Sequence, residues 1–175
     1  ALIIANKNVL NHKLSNKVKL LNRSFEKIYD KKFDLIVSNP PYIKTSDIKN
    51  LAEDVRNFEP KIALDGGNDG LDLIKKVIYK STYILKLDGL LALEIGNNQY
   101  KKVSNLLIRN KFKIIKKVKD YRDNIRCLIS KLIKWGKWTT EEEILDQDHK
   151  KTILEEGTLL LILTLLAISI VSMEM

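Results

Sequence analysis

Four consecutive residues, Asn39-Pro40-Pro41-Tyr42, end the apolar run Leu35-Ile36-Val37 and offer chemistry by their types and order. A proline fixes its own backbone angle, lacks an N–H, and pushes the residue before it into an extended shape. Two in succession make a stiff, extended loop whose carbonyls are not tied into helical hydrogen bonds. The side-chain oxygen of Asn39 accepts a hydrogen bond. With the backbone carbonyls of Asn39 and Pro40, which can point outward, it offers acceptors held in a fixed relation. Two such acceptors suit a planar NH2 group, whose two donors diverge in one plane, and Tyr42 adds a flat ring to pack against it. A planar amino or amide nitrogen is a poor nucleophile because its lone pair is delocalised. Accepting both of its hydrogen bonds raises its electron density and aims the lone pair at an incoming electrophile. Positioning and preorganised electrostatics of this kind carry much of a barrier reduction. No metal is required. A Pro-Pro turn serving structure alone would give no reason for the Asn before it or the aromatic after it.

The rest of the chain offers less. His12 and His149 are far apart, and no metal-ligand spacing occurs, so no metal is expected. Cys127 is the one cysteine, which excludes an internal disulfide and fits a reducing, cytoplasmic compartment. It lies in an apolar run and reads as core packing. The net charge is +9 with a pI near 9.5. Lysine, asparagine and isoleucine are abundant, the basic residues read as dispersed rather than gathered in one block, and no aromatic-basic stacking motif is evident. The charge is therefore taken as compositional, and nucleic acid is not expected as a direct substrate. Hydrophobic residues make up 45% of the 175, which suits one ordinary globular domain rather than a disordered chain.

The elements that must position the tetrapeptide follow from periodicity. A helix is expected over about 1–11, then a short strand in "KVKLLNRSF" and a buried strand ending at "NPPY". Residues 44–70 form a polar stretch broken by Pro60 and "GGNDG". Apolar residues at 71, 74, 77, 78, 84 and 85 mark a helix. Asp88-Gly89 is expected to turn the chain into the strand "LLALEIG". A second helix should start near Asn97 or Asn98 as N-cap, with Tyr100, Val103 and Leu107 on one face. "FKIIKKV" and "IRCLISKLI", joined by the short "KDYRDN", read as an antiparallel hairpin. Alternating strands and helices point to an α/β fold with a mainly parallel sheet. Ligands in such sheets bind beyond the carboxyl ends of the strands, which is where the tetrapeptide falls.

"VSNPPYI", "DVRNFEPKIALDGGNDGLDLIKKVI", "LLALEIGNNQ" and "DYRDNIRCLI" together resemble the PrmC/HemK family of release-factor glutamine methyltransferases over about residues 1–132. The resemblance implies a Rossmann-like class I methyltransferase fold ending in an antiparallel hairpin. It implies transfer of a methyl group from S-adenosyl-L-methionine to the side-chain nitrogen of the glutamine in the Gly-Gly-Gln loop of peptide chain release factors. On this analogy Asn39 and Pro40 act at the amide and Asn39 also lies near the cofactor's methyl group. Pro41 stiffens the loop and Tyr42 walls the pocket. Ser24 and Phe25 fall where the family contacts the cofactor's adenine, although "NRSF" lacks the acid often found there. Arg56, Glu59 and Pro60 match "R-x-x-E-P", either shaping the substrate groove or bracing the loop. Gly66, Gly67 and Gly70 read as a turn and helix start rather than a phosphate loop, because no buried strand precedes them. Glu94 is assigned no proton-transfer role.

Two departures from the family shape the remaining expectations. None of the seven glycines forms a Gly-x-Gly loop, so the cofactor loop and any N-terminal substrate domain are expected to lie outside these residues. The isolated chain is then expected to bind cofactor poorly and to be inactive alone. Residues 1–135 are taken as a partial catalytic domain. Residues 136–175 are taken as an extension: a polar helix with a capping box at Thr140 and Glu143, then the apolar segment 159–171. That segment is short for a membrane span. It reads as a tail anchor, a buried helix or a non-native extension. Two rival functions stay open, an amino methyltransferase of nucleic acid (adenine N6 or guanine N2) and a non-catalytic remnant with a membrane-attached tail.

Overall fold

In the computed structural model, which describes residues 2–29 and 32–134 and the backbone of 159–163 and 169–173, one seven-stranded sheet organises the chain. The elements in order are α1 (Leu2–Asn11), β1 (Val18–Asn22), β2 (Phe33–Ser38), α2 (Glu53–Phe58), α3 (Lys61–Leu64), α4 (Asp72–Ile84), β3 (Leu85–Glu94), α5 (Tyr100–Arg109), β4 (Phe112–Lys119), β5 (Ile125–Leu132), β6 (Leu159–Leu163) and β7 (Ser169–Met173). Spatially the strands run β1-β7-β6-β2-β3-β5-β4. β2 is parallel to both of its neighbours, β3 and β6, and the other four pairings are antiparallel. Only β5 and β7 oppose the rest, so β1, β2, β3, β4 and β6 all point one way. This is the expected α/β, Rossmann-like architecture: a mixed sheet, mainly parallel in strand direction, that closes on one side in the β4–β5 hairpin.

The long apolar run of β2 has a physical cause in this order. A strand paired along both edges has its backbone groups satisfied by its neighbours, and its side chains are free to be apolar on both faces. Ile36 is fully buried beside Leu91 and Leu93 of β3. α4 contributes Ile74, Val77, Ile78 and Ile84 to the same core, matching the predicted helical stripe. α5 contributes Val103 and Leu107. By contrast α1 buries none of its residues, leaving Ile3, Ile4 and Leu10 exposed.

Three local expectations are corrected. β3 begins at Leu85, ahead of Asp88-Gly89, so those residues form an irregularity within the strand. Phe33 pairs with Leu85 while Leu35 pairs with Leu90, and Asp88 takes the left-handed conformation that the extra residues require. The N-cap position of α5 belongs to Gln99 rather than Asn97 or Asn98, and Gln99 makes no capping bond to the helix with its side chain. The polar stretch 44–70 is not a plain loop: it holds a 3-10 turn over Thr45–Asn50 and the short helices α2 and α3.

The apolar segment near the end of the chain also departs from expectation. In place of the helical tail foreseen, residues 159–163 and 169–173 are strands that pair with β2 and β1 inside the sheet. The polar helix and capping box foreseen at Thr140 and Glu143, and His149, lie outside the described residues. No helix among the described residues is long and apolar enough to cross a membrane.

Truncating the fully buried Ile36 to alanine removes three carbons from the centre of this core. It should lower unfolding free energy by about 2–5 kcal/mol, read from urea denaturation.

Candidate functional site

β1, β2, β3 and β4 end at one edge of the sheet because they share a direction. Asn39 to Tyr42 leave β2 at that edge, and Glu94 ends β3 beside them. Asn39 is exposed, Pro40 and Pro41 are buried, and Tyr42 is half-buried. Among the described residues, none donates a hydrogen bond to the carbonyl of Pro40 or Pro41. The four predicted residues are thus together, with a solvent-facing Asn39.

Prolines stiffen a loop but do not say where it points, so other groups must fix its position. Beyond Tyr42 the chain is stitched to residues 64–67. Ile43 N–H donates to the Leu64 carbonyl at 3.1 Å and Gly66 N–H donates to the Ile43 carbonyl at 2.7 Å. Gln99 supplies the larger anchor. Its Nε2 donates to the carbonyls of Tyr42 (3.0 Å) and Gly70 (3.1 Å), and its Oε1 accepts from Gly96 N–H at 2.8 Å. One buried carboxamide therefore binds the loops after β2 and β3 and the start of α4 to each other.

Glycine is needed where these backbones meet. A Cβ on Gly66 would stand 2.8 Å from the Pro41 carbonyl oxygen, and one on Gly70 would stand 2.5 Å from that of Tyr42. Gly70 also has φ +72, a conformation that L side chains rarely adopt. Gly66, Gly67 and Gly70 do form the predicted turn before α4. Two of them also wall the Pro-Pro-Tyr loop.

The Tyr42 ring is held at its far end as well. Its hydroxyl donates to Glu94 Oε1 at 3.1 Å and accepts from Arg126 Nη2 at 2.8 Å. The Arg126 guanidinium lies 5.3 Å from the ring centroid and 4.0 Å from Asp120, whose carboxylate accepts the backbone N–H groups of Arg122 and Asn124 in the hairpin loop. Burial raises the Tyr42 hydroxyl above its ordinary pKa; Arg126 opposes the rise and Glu94 adds to it. The Cys127 thiol, paired in register with Glu94, is also pushed up, first by burial and then by the carboxylate.

The remaining predicted residues lie apart from this cluster. Ser24 and Phe25 follow β1 at the same sheet edge, but β7 and β6 intervene between β1 and β2. At about 4.8 Å per strand spacing that is roughly 14 Å. Ser24 caps a short 3-10 turn through Glu26 N–H, and Phe25 is buried in the core. Arg56 donates to the Lys49 carbonyl at 3.2 Å, and no ion pair joins it to Glu59 among the described residues. Pro60 caps α3, whose Lys61 and Ile62 line an open cleft of about 530 Å³ with Thr45, Asp65 and Asp72. Among the described residues no group of histidine, cysteine and carboxylates is placed to hold a metal ion. Gln99, Arg126 and the wall-forming role of Gly66 and Gly70 were not foreseen from the sequence.

Two outcomes follow from this anchoring. Gln99→Leu leaves three polar groups without the partner Gln99 gave them and should cost about 1–3 kcal/mol of stability for each that stays out of reach of water, with faster hydrogen exchange at Gly96 N–H. Tyr42 has its folded pKa raised above 10.0. Its contribution is complete below pH 10.0 and is lost as pH climbs through the raised value. Tyr42→Phe should therefore flatten the alkaline fall of the stability–pH curve.

Known proteins resemble this chain over the same region. The family model described as Eco57I restriction-modification methylase matches residues 2–124. A ribosomal protein uL3 glutamine methyltransferase from Francisella tularensis subsp. tularensis is 42% identical over 101 residues, covering 57% of this chain and 32% of that protein. Release factor glutamine methyltransferases from Clostridium acetobutylicum and Fusobacterium nucleatum subsp. nucleatum are 43% and 41% identical over 111 and 127 residues. Those matches cover 63% and 70% of this chain, and 38% and 36% of those proteins. The chain thus spans between about a third and two fifths of the length of these three relatives. A solved structure of a candidate DNA modification methylase from Thermus thermophilus overlays with a TM-score of 0.42 at 14% identity, covering 67% of this chain and 53% of that one, too loosely to bear on function. With its α1-to-hairpin region matched almost throughout by the family model, the chain belongs to the Eco57I restriction-modification methylase family.

Proposed function

We propose that this chain carries the acceptor-holding part of a methyltransferase that acts on the side-chain amide nitrogen of a protein glutamine. The substrate we infer is the glutamine of the Gly-Gly-Gln loop in a peptide chain release factor, in the cytoplasm. The observation that carries the proposal is the Asn39–Tyr42 loop: rigid by its two prolines, pinned by Gln99, and presenting an exposed Asn39 beside a Pro40 carbonyl with no described donor. Relatives near 40% identity named for glutamine methylation support it.

In this account the Asn39 oxygen and the Pro40 carbonyl each accept one amide N–H. The nitrogen is then fixed in position, with its lone pair turned away from both bonds. Tyr42, braced by Glu94 and Arg126, forms the flat wall. No side chain here is placed as a strong base, because the nitrogen loses its surplus proton after alkylation and solvent can take it.

The methyl donor we infer is S-adenosylmethionine. The described residues do not form a cradle for it by themselves. Phe25 is buried in the core, the Ser24 hydroxyl is engaged with Glu26, and no glycine-rich loop follows a strand at the sheet edge. Residues 1–135 are accordingly proposed as one part of the catalytic unit.

The test joins this chain to the part of the Clostridium acetobutylicum relative that lies outside the matched region. Labelled S-adenosylmethionine is supplied with a release factor, with ribosomal protein uL3, or with DNA or RNA. Label on the release factor is expected, and Asn39→Ala should reduce it by about 100-fold or more. Label on uL3 would keep the glutamine chemistry and change the substrate, as the Francisella relative's name suggests. Label on nucleic acid alone, or undiminished transfer by Asn39→Ala, would defeat the proposal.

A further inference from the structure

Residues 95–119 contain seven lysines and Arg109, and no aspartate or glutamate. The other 150 residues hold 23 cations against 22 carboxylates, so this one stretch supplies eight of the nine net charges. The expectation that the basic residues are dispersed is wrong, and the structure shows what their grouping builds.

The stretch forms α5 and β4, and β4 is the outermost strand of the sheet. Lys101, Lys102 and Arg109 are exposed on α5, and Lys116, Lys117 and Lys119 are exposed on β4. After the irregularity at Ile114/Lys116, every residue from 115 to 119 is exposed. The Lys117 ammonium lies 5.3 Å from the Tyr100 ring centroid, which brings the start of α5 against the end of β4. Lys119 pairs with Asp123 at 2.9 Å. Lys101, Lys102, Arg109, Lys116 and Lys117 have no carboxylate partner among the described residues. Because β4 points the same way as β2 and β3, its lysine-rich end emerges at the edge that carries Asn39 to Tyr42. In the loop that follows, Tyr121 is fully exposed next to Arg122.

We propose that this face docks the phosphate backbone of a single-stranded nucleic acid, with Tyr121 as a stacking platform. The contact of Lys117 with Tyr100 brings Lys116 and Lys117 of β4 toward Lys101 and Lys102 of α5, so ammonium groups without a described carboxylate partner gather where α5 starts and β4 ends. A polyanion matches such a group of cations, because each phosphate it brings neutralises one of them. Flat rings interleaved with cations are how single strands are held without reading their sequence. A membrane surface is disfavoured because the apolar face of α5, Val103 and Leu107, is buried against the sheet and cannot enter lipid. The proposal is independent of the methyl-transfer assignment and concerns docking, not the reacting group.

The test uses the full chain and a short, labelled single-stranded RNA of mixed sequence, followed by fluorescence anisotropy between about 50 and 200 mM salt. Binding should weaken with a log–log slope of roughly −0.7 per phosphate neutralised. The combined variant Lys101→Gln, Lys102→Gln, Lys117→Gln should lose about tenfold or more in affinity and about 2 in slope. Tyr121→Ala should lose affinity by about tenfold with the slope unchanged. A control with the same change in net charge, Lys7→Gln, Lys13→Gln, Lys17→Gln, should bind like the parent. Equal binding of single-stranded DNA would support docking through the backbone. No binding at about 50 mM salt, an equal loss in the control, tighter binding of duplex, or equal affinity for labelled poly-glutamate would each overturn the assignment.

Discussion

The Gln99 carboxamide holds three separate chain segments at the ends of β2 and β3. Its two N–H donors and one oxygen are matched to two carbonyls and one amide, within 2.8–3.1 Å. In a buried position a lone polar group is costly, so a residue that satisfies several at once fixes their relative geometry strongly. The prolines make the Asn39–Tyr42 loop stiff, and Gln99 makes it stiff in one place. Close approach of Gly66 and Gly70 to the same backbone is the steric half of that constraint. The chemistry proposed for Asn39 depends on both, since an acceptor pair displaced by an ångström no longer fits a planar amide.

Much of the fold was legible in the sequence because its cause is local. β2 and α4 announce themselves by a continuous apolar run and by helical spacing, and the hairpin by a short polar connection between two strands. The tetrapeptide was legible because two prolines restrict the backbone whatever surrounds them. Its neighbours were not. Gln99 looks like one more polar residue before a helix, and its partners Tyr42 and Gly70 lie 57 and 29 positions away. Arg126 reaches Tyr42 across 84 positions. Contacts of that kind arise from strand order, which periodicity does not contain.

The placement of β6 and β7 was illegible for the same reason. By composition the segment 159–171 reads as a tail anchor, a buried helix or a non-native extension, and a short apolar run does not by its pattern separate helix from strand. What decides is the pairing available to it, here the facing edges of β2 and β1. The glycines show a milder version. Their turn was foreseen from "GGNDG", but the steric demand of the Pro41 and Tyr42 carbonyls on Gly66 and Gly70 needed three-dimensional packing. The grouping of charge in residues 95–119, by contrast, was present in the sequence and needed only a count over a window.

β4 has a further property. An outermost strand presents unpaired amides and carbonyls along its free side, a template on which another polypeptide can add. Ile115 and Val118 at this margin are exposed and would favour such growth. Lys116, Lys117 and Lys119 oppose it, because a second copy aligned alongside would set like charges against each other before any backbone bond formed. The margin of the molecule thus guards itself against fibrillar self-association, and neutralising those three ammonium groups would remove the guard while leaving the interior untouched.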